Sequence, residues 1–160
     1  IFFGGRISGL KGLEQINQAV AKVKEEIPET VLLIAGGDEI GWLSGDELKS
    51  AYYSADIVVA PSVCFDAFPR SNLEAMACRK PVIATCYGGS PEIIQDGITG
   101  FIINPFNVGL MADKIIDLLK NPQKAKQFGE EGYKRVKEQF SLKKQVEEIL
   151  KYYERTLVLQ

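Results

Sequence analysis

Short apolar runs alternate along the chain with longer segments in which apolar residues recur every three or four positions. The clearest periodic segment is 13–27, whose apolar residues would form one buried face of a helix. The run 31–35 is apolar throughout and two glycines follow it, which predicts a strand buried on both faces of a parallel sheet. The alternation continues to residue 103. It predicts an α/β fold with a Rossmann-like, doubly wound parallel sheet and helices on both faces.

The predicted elements place the loops in which a ligand site is expected. The predicted strands cover residues 1–4, 31–35, 57–60, 81–85 and 101–103. The predicted helices cover residues 13–27, 46–54, 71–78, 108–120, 123–138 and 142–157, and a short helix follows Ser90 as its cap residue. In a sheet of this type a ligand binds at the carboxyl ends of the strands, where the loops that lead into helices gather.

Composition narrows the range of functions. The 160 residues suffice for one domain, 1–160, and contents of 46% hydrophobic and 25% charged residues are typical of a globular protein. A formal charge of −2 gives no broad basic surface, so nucleic acid is not an expected partner. The chain has no histidine, which excludes histidine-based acid–base catalysis and most zinc sites within it. Three widely spaced cysteines favour reduced thiols and a cytoplasmic location.

The loop after the first predicted strand, residues 4–12, combines four glycines with the cations Arg6 and Lys11. Glycines let a backbone approach an oxyanion, and the two cations would neutralise a diphosphate. The loop matches neither a P-loop, because Gly12 follows Lys11, nor the dinucleotide glycine pattern, which disfavours an NAD-type domain. Taken alone, the loop is better explained as a flexible turn with two solvated cations.

A second group of candidate residues lies where the strand 57–60 leads into the next helix. Asp66 and Glu74 stand eight residues apart, and carboxylates are good acceptors for the vicinal hydroxyls of a ribose or hexose. Each of the two carboxylates also has an explanation that involves no ligand. Ser71 and Glu74 fit a capping box at the start of the helix, and Asp66 fits an Asx-turn. A third segment, 88–92, is explained entirely as a turn and a helix start.

In this order the segments resemble the carboxyl-terminal, donor-binding domain of the family 4 retaining glycosyltransferases, which have the GT-B fold. The resemblance runs nearly end to end. It is carried by Gly5-Arg6, Lys11-Gly12, Leu33-Ile34-Ala35-Gly36, Tyr53-Ser54-Ala55-Asp56-Ile57, Pro61-Ser62, Leu73-Glu74-Ala75-Met76-Ala77, Pro81-Val82-Ile83-Ala84-Thr85, Gly88-Gly89, Pro91-Glu92 and Asp96-Gly97-Ile98-Thr99-Gly100-Phe101.

This resemblance implies binding of a UDP-, GDP- or ADP-sugar within an enzyme that transfers the sugar, with retained anomeric configuration, to a glycan, lipid or small-molecule acceptor. Arg6, Lys11 and Asp66 would be the catalytic residues, and the two cations would stabilise the leaving nucleotide without a metal or cofactor. Glu74 would hold the ribose, and backbone amides of 68–73 would meet the phosphates and sugar. The implied donor-binding residues are Gly5, Arg6, Lys11, Asp66, Phe68, Arg70, Ser71, Asn72, Leu73 and Glu74.

The sequence departs from the family pattern at several positions. Asp66 replaces a more usual glutamate and is one methylene shorter, which would draw its carboxylate back from the donor hexose. Pro69 and Arg79 each stand where glycine is common. After Gly37 the family usually inserts a helix and another strand, so the wall that meets the nucleobase is expected to be incomplete. We predict that Trp42 packs in the core instead of lining that wall.

The resemblance also implies a second, amino-terminal domain that binds the acceptor and meets the last helix. Without that partner domain the chain is expected to be inactive, and any peripheral membrane association would occur through the missing half. A different class of function fits the same departures. The chain would then be a non-catalytic nucleotide-sugar-binding module or a degenerate subunit.

Overall fold

The structure is a computed structural model that describes residues 1–3, 9–36 and 40–158. The candidate residues Gly5 and Arg6 therefore lie outside the described residues. The strands are β1 (Phe2–Phe3), β2 (Leu33–Ile34), β3 (Val58–Ala60), β4 (Val82–Thr85) and β5 (Gly100–Ile103). The helices are α1 (Leu13–Glu26), α2 (Gly45–Ser54), α3 (Arg70–Ala77), α4 (Ser90–Ile93), α5 (Val108–Lys120), α6 (Pro122–Gln139) and α7 (Leu142–Val158), and Gly9–Lys11 forms a 3₁₀ turn.

The strands form one parallel sheet in the order β2-β1-β3-β4-β5. The chain first moves from β1 to β2 on one side and then crosses back to β3 on the other side of β1. In doubly wound sheets the ligand site lies at the carboxyl ends of the strands where the strand order reverses. The reversal between β1 and β3 brings together the two loops that hold Lys11 and Asp66.

Helices cover both faces of the sheet, and neighbouring residues of each strand enter opposite cores. Phe3, Val59 and Ile83 pack on one face with α1 and α5. Phe2 and Val58 pack on the other face with α2 and α3. This two-sided packing confirms the predicted α/β fold with a doubly wound parallel sheet. None of the described helices is both long and apolar enough to cross a membrane.

The structure corrects the prediction for β2. Residues 31–35 were expected to be buried on both faces, but β2 forms the edge of the described sheet. Leu33 and Ile34 are only half-buried, and Val31 is exposed. A continuous apolar run indicates a buried strand without indicating whether the strand is central or at the edge. Here β2 pairs with β1 alone among the described strands, which leaves its outer edge open.

Arg79, just after α3, adopts the left-handed backbone conformation with a φ of 56°. This conformation explains why glycine is the residue implied by the family pattern at that position, since any other residue costs about 1–2 kcal/mol there. Two contacts of the arginine side chain offset the strain. The guanidinium lies 3.8 Å from the centre of the Tyr133 ring, and Nε lies 3.1 Å from Glu130 Oε2.

We expect Arg79→Ala to lower the free energy of unfolding by about 0.5–1 kcal/mol, because it removes the cation–π contact and keeps the strained backbone. Arg79→Gly loses the same contact but relieves the strain. We therefore expect the free energy of unfolding of Arg79→Gly to be about 1 kcal/mol higher than that of Arg79→Ala. Urea unfolding of the two variants checks this difference, and equal stabilities would show that the backbone at residue 79 is not strained.

Candidate functional site

Lys11 and Asp66 face each other at the carboxyl ends of β1 and β3. Lys11 Nζ lies 2.9 Å from Asp66 Oδ2, and the two side chains are 30% and 29% exposed. The pair borders a small cleft of about 90 Å³, whose other lining residues are Phe3, Ala60, Ser62, Pro69 and Ser71. The cleft thus lies where the strand order reverses, as the doubly wound topology predicts.

Both oxygens of Asp66 have donors within the protein. Oδ1 accepts a hydrogen bond from the Phe68 backbone N–H at 3.3 Å, so the Asx-turn is present together with the ion pair. The hydrogen bond from Lys11 lowers the pKa of the Asp66 carboxyl, against the opposing effect of its partial burial. Because this pKa is lowered in the folded chain, the ion pair persists at neutral pH and is lost only as the pH falls through the lowered value.

A close backbone contact brings the Lys11 loop to the Asp66 loop. Gly12 has a φ of 77°, and a Cβ at this position would lie 2.0 Å from the Pro61 carbonyl oxygen. Next to it, the Val63 N–H donates to the Leu10 carbonyl at 3.0 Å. Gly12 therefore permits close approach to the protein backbone, whereas the sequence suggested that glycines in this loop permit approach to an anion.

Gly88 and Gly89 support the Asp66 loop from the other side. A Cβ on Gly88, which has a φ of 65°, would lie 2.2 Å from the Asp66 carbonyl oxygen. A Cβ on Gly89 would lie 2.1 Å from the Ala67 carbonyl oxygen, and the Gly89 N–H donates to the Asp66 carbonyl at 2.9 Å. The sequence explained this segment as a turn alone. Adjacent glycines after a neighbouring parallel strand were the signal for the contact.

Glu74 faces a cleft and does not cap its helix. α3 begins at Arg70 with Pro69 as its N-cap residue and has no side-chain cap hydrogen bond, so the predicted capping box is absent. Instead, Glu74 Oε2 accepts a hydrogen bond from the Tyr52 hydroxyl at 2.9 Å. The cleft has a volume of about 220 Å³ and is lined by Ala35, Trp42, Leu43, Leu48, Tyr52, Arg70, Ser71 and Glu74.

Trp42 lines the same cleft as Glu74. Its side chain is 69% exposed, so the prediction that it packs in the core was wrong. The residue lies between the edge strand β2 and helix α2, where no further layer of the described structure covers it. An exposed indole in a concave wall offers a flat apolar surface to a ligand ring.

The remaining candidate residues divide between the clefts and the core. Arg70 and Ser71 line the larger cleft. Asn72 is fully buried, and its Nδ2 donates to Ser90 Oγ at 3.2 Å, so its side chain does not face either cleft. Leu73 packs against the core below α3, and the exposed Phe68 ring lies 5.8 Å from the Phe140 ring. The side chains of Asn72 and Leu73 thus pack in the core, and the contact of the backbone amides of 68–73 with a ligand stays a prediction.

Ser71 lines both clefts, which therefore lie next to each other. One extended ligand bound over Ser71 would contact Lys11 in one cleft and Glu74 in the other. No group of three or more potential metal ligands is found among the described residues. Of the described cations, Lys11 and Arg70 line these clefts and would face an anionic ligand.

A larger concavity of about 760 Å³ lies at the opposite end of the sheet. It is lined by residues that precede β1, β2 and β3, including Ile1, Val31 and Asp56. This is the amino end of the strands, where ligands of doubly wound sheets do not bind. The concavity also contains none of the candidate residues, so its size alone does not make it the functional site.

This chain is similar in sequence to one protein family and in structure to several solved proteins. The sequence model described as Glycosyl transferases group 1 matches residues 38–135. Spore coat protein SA of Bacillus subtilis is 27% identical over 97% of this chain and 48% of its own length. The structure of sucrose-phosphate synthase from Thermosynechococcus elongatus matches with a TM-score of 0.85 and 26% identity, over 99% of this chain and 45% of that one.

A third similarity concerns the fold alone. Anabaena HepE, solved in complex with UDP and glucose, matches with a TM-score of 0.79 and 22% identity. The match covers 94% of this chain and 47% of that one. The chain therefore spans about half the length of each of these three proteins.

Proposed function

Because the chain belongs to the glycosyl transferases group 1 family, we propose that it binds the nucleoside-diphosphate-sugar donor within a retaining glycosyltransferase. The observation that carries the proposal is that two clefts share Ser71 in their linings, one with the Lys11–Asp66 pair and one with Glu74. A nucleoside diphosphate has a charged diphosphate, which fits the cleft of Lys11 and Asp66. Its ribose carries hydroxyls, which fit the cleft of Glu74. The greater length of the relatives supports a second domain that binds the acceptor.

The smaller cleft is suited to the diphosphate. Lys11 Nζ is already held at the cleft by Asp66, and a diphosphate oxygen can share this ammonium group. The amino end of α3 adds its own partial positive charge and the N–H groups of Arg70 and Ser71, whereas the Asn72 N–H donates to the Pro69 carbonyl at 3.1 Å. Pro69 at the N-cap has no N–H to give, so the donors of this turn begin at Arg70. Arg6, whose role rests on the family resemblance, would add a second cation.

The larger cleft is suited to the nucleoside. The Glu74 carboxylate is an acceptor for the hydroxyls of a ribose, and the Trp42 indole is suited to stacking with a base. The similarity in fold to Anabaena HepE, which was solved with UDP and glucose, supports the proposal that this fold binds a nucleotide. UDP, GDP and ADP all have the required ribose and diphosphate, so the proposal covers the three classes of donor.

In the proposed reaction the bond between the anomeric carbon and the β-phosphate oxygen breaks, and an acceptor oxygen forms a bond on the same face of the sugar. The proton of the acceptor hydroxyl passes to the leaving nucleoside diphosphate. Lys11 and Arg6 stabilise the negative charge that develops on the leaving diphosphate. No metal is required for this charge stabilisation. The acceptor, a glycan, lipid or small molecule, would bind to the second domain.

Donor binding without catalysis is a second candidate function, and one observation favours it. Both Asp66 oxygens already accept hydrogen bonds from Lys11 and Phe68, which leaves this shorter side chain less able to bind the donor hexose. The two functions differ in turnover. Release of nucleoside diphosphate from a sugar nucleotide by the full-length protein would favour the enzyme, and binding without release would favour the module.

Calorimetric titration with UDP, GDP and ADP tests donor binding. We expect at least one of them to bind, and we expect Glu74→Ala to lower its affinity about fivefold to tenfold, because the ribose hydroxyls lose a charged acceptor. Glu25→Ala, which removes an exposed carboxylate from α1, is the matched control. Equal affinity of the wild type and the Glu74 variant would contradict the ribose contact. Failure of a folded sample to bind any of the three would contradict donor binding by this chain.

A further inference from the structure

We propose that Tyr52 is a positioning residue that orients Glu74 toward the ribose of the donor. The inference rests on the proposed function, since it assigns a role to a residue of the cleft in which the nucleoside is proposed to bind. The observation that carries it is the hydrogen bond from the Tyr52 hydroxyl to Glu74 Oε2, at 2.9 Å. Both residues line the 220 Å³ cleft, and the bond joins helices α2 and α3 there.

The Tyr52 ring is fixed by the core. The residue is only 3% exposed, and its ring meets the edge of Phe2 at a centroid distance of 4.9 Å and an interplanar angle of 80°. The ring also belongs to the buried cluster between the sheet and α3, which includes Met76 and Val58. A ring held in this way presents its hydroxyl at one place, where the core meets the cleft.

The hydroxyl acts as a hydrogen-bond donor at every physiological pH. Burial raises the pKa of Tyr52 far above its ordinary value, and the charge of Glu74 and the hydrogen bond to it raise the pKa further. The proton therefore stays on the phenol, and the carboxylate of Glu74 is the acceptor.

Glu74 is a flexible side chain whose free rotation would weaken its contact with a diol. The Tyr52 bond holds Oε2, and among the described residues Oε1 accepts no hydrogen bond. Oε1 is thus available to a hydroxyl of the ribose in an orientation that is set before the ligand arrives. Pre-ordering a flexible group in this way improves affinity because less rotational freedom is lost on binding.

The test uses Tyr52→Phe, which removes the hydroxyl and keeps the ring. Affinity is measured by calorimetry for whichever of UDP, GDP or ADP binds, and for its 2′,3′-dideoxy form. We expect the variant to bind the ribose nucleotide about threefold to tenfold more weakly and to bind the dideoxy nucleotide as the wild type does. Tyr53→Phe, an exposed neighbour on the same helix, is the matched control and should bind both nucleotides normally.

A double-mutant cycle with Glu74→Ala separates positioning from a purely structural role. Once Glu74 is replaced, Tyr52→Phe should have no further effect on affinity, and both variants should unfold cooperatively. A Tyr52 variant that binds both nucleotides normally, or that loses both equally, would overturn the inference while leaving the proposed function intact. A wild-type chain that binds no nucleoside diphosphate, or binds the ribose and dideoxy forms equally, would overturn the proposed role of the cleft and the inference with it.

Discussion

Replacement of Lys11 by methionine is expected to weaken the binding of a nucleoside diphosphate about tenfold to hundredfold. The variant removes a hydrogen bond between charged groups, which contributes about 1.5–3 kcal/mol. It also leaves Asp66 without its ion-pair partner, so a free carboxylate then faces the phosphates. The affinity for the nucleoside without phosphates should not change, because the nucleoside is proposed to bind in the cleft of Glu74.

Calorimetry with the diphosphate and the nucleoside, in the presence of EDTA, checks this result. Lys22→Met, which removes an exposed cation from α1, is the control for a general effect of charge. An unchanged affinity for the diphosphate would contradict the assignment of Lys11. An equal loss for the nucleoside would mean that the variant disturbs the fold of both clefts. Loss of wild-type binding in EDTA would contradict the proposed independence from metal.

Gly88→Ala is expected to cause a large loss of stability. The new Cβ would lie 2.2 Å from the Asp66 carbonyl oxygen, and the left-handed φ of 65° adds strain of its own. Strain and overpacking together should lower the free energy of unfolding by about 3 kcal/mol. The displaced Asp66 loop should also weaken binding of the diphosphate.

Gly97→Ala is the matched control for this variant. Gly97 has a similar φ of 74°, but a Cβ there would meet no atom within 4 Å. We therefore expect Gly97→Ala to lower the free energy of unfolding only by the backbone strain, about 1–2 kcal/mol, as measured by urea unfolding. If both variants lose the same stability, the Asp66 loop yields to the added methyl group and is not held rigidly by Gly88.

The fold could be predicted because its signals are local. The periodicity of 13–27 and the apolar run 81–85 each depend on residues close together in sequence, and both became the expected elements. The position of β2 at the edge of the sheet and the exposure of Trp42 depend instead on which elements pack outside them. No local pattern encodes that information.

The candidate site was predictable in part for the same reason. Asp66 and Glu74 share one short segment whose residue types indicate hydroxyl recognition, and the structure places each on a cleft. Tyr52 was missed because it lies 22 residues from Glu74 and reaches it only through the packing of two helices. For Asn72 the sequence predicts a ligand contact through the backbone amide only, and the first turn of α3 directs its side chain into the core.

The contact of Gly88 and Gly89 with the Asp66 loop also bears on protein synthesis. A ribosome releases Lys11, Asp66 and Glu74 before it releases the two glycines that hold the Asp66 loop. A nascent chain that ends before residue 88 thus has the residues of the site without the backbone support that shapes it. Ligand-dependent protection of nascent chains from proteolysis would therefore begin only after β4 and the glycine pair have emerged. The onset of binding then marks the moment at which the central part of the sheet is complete.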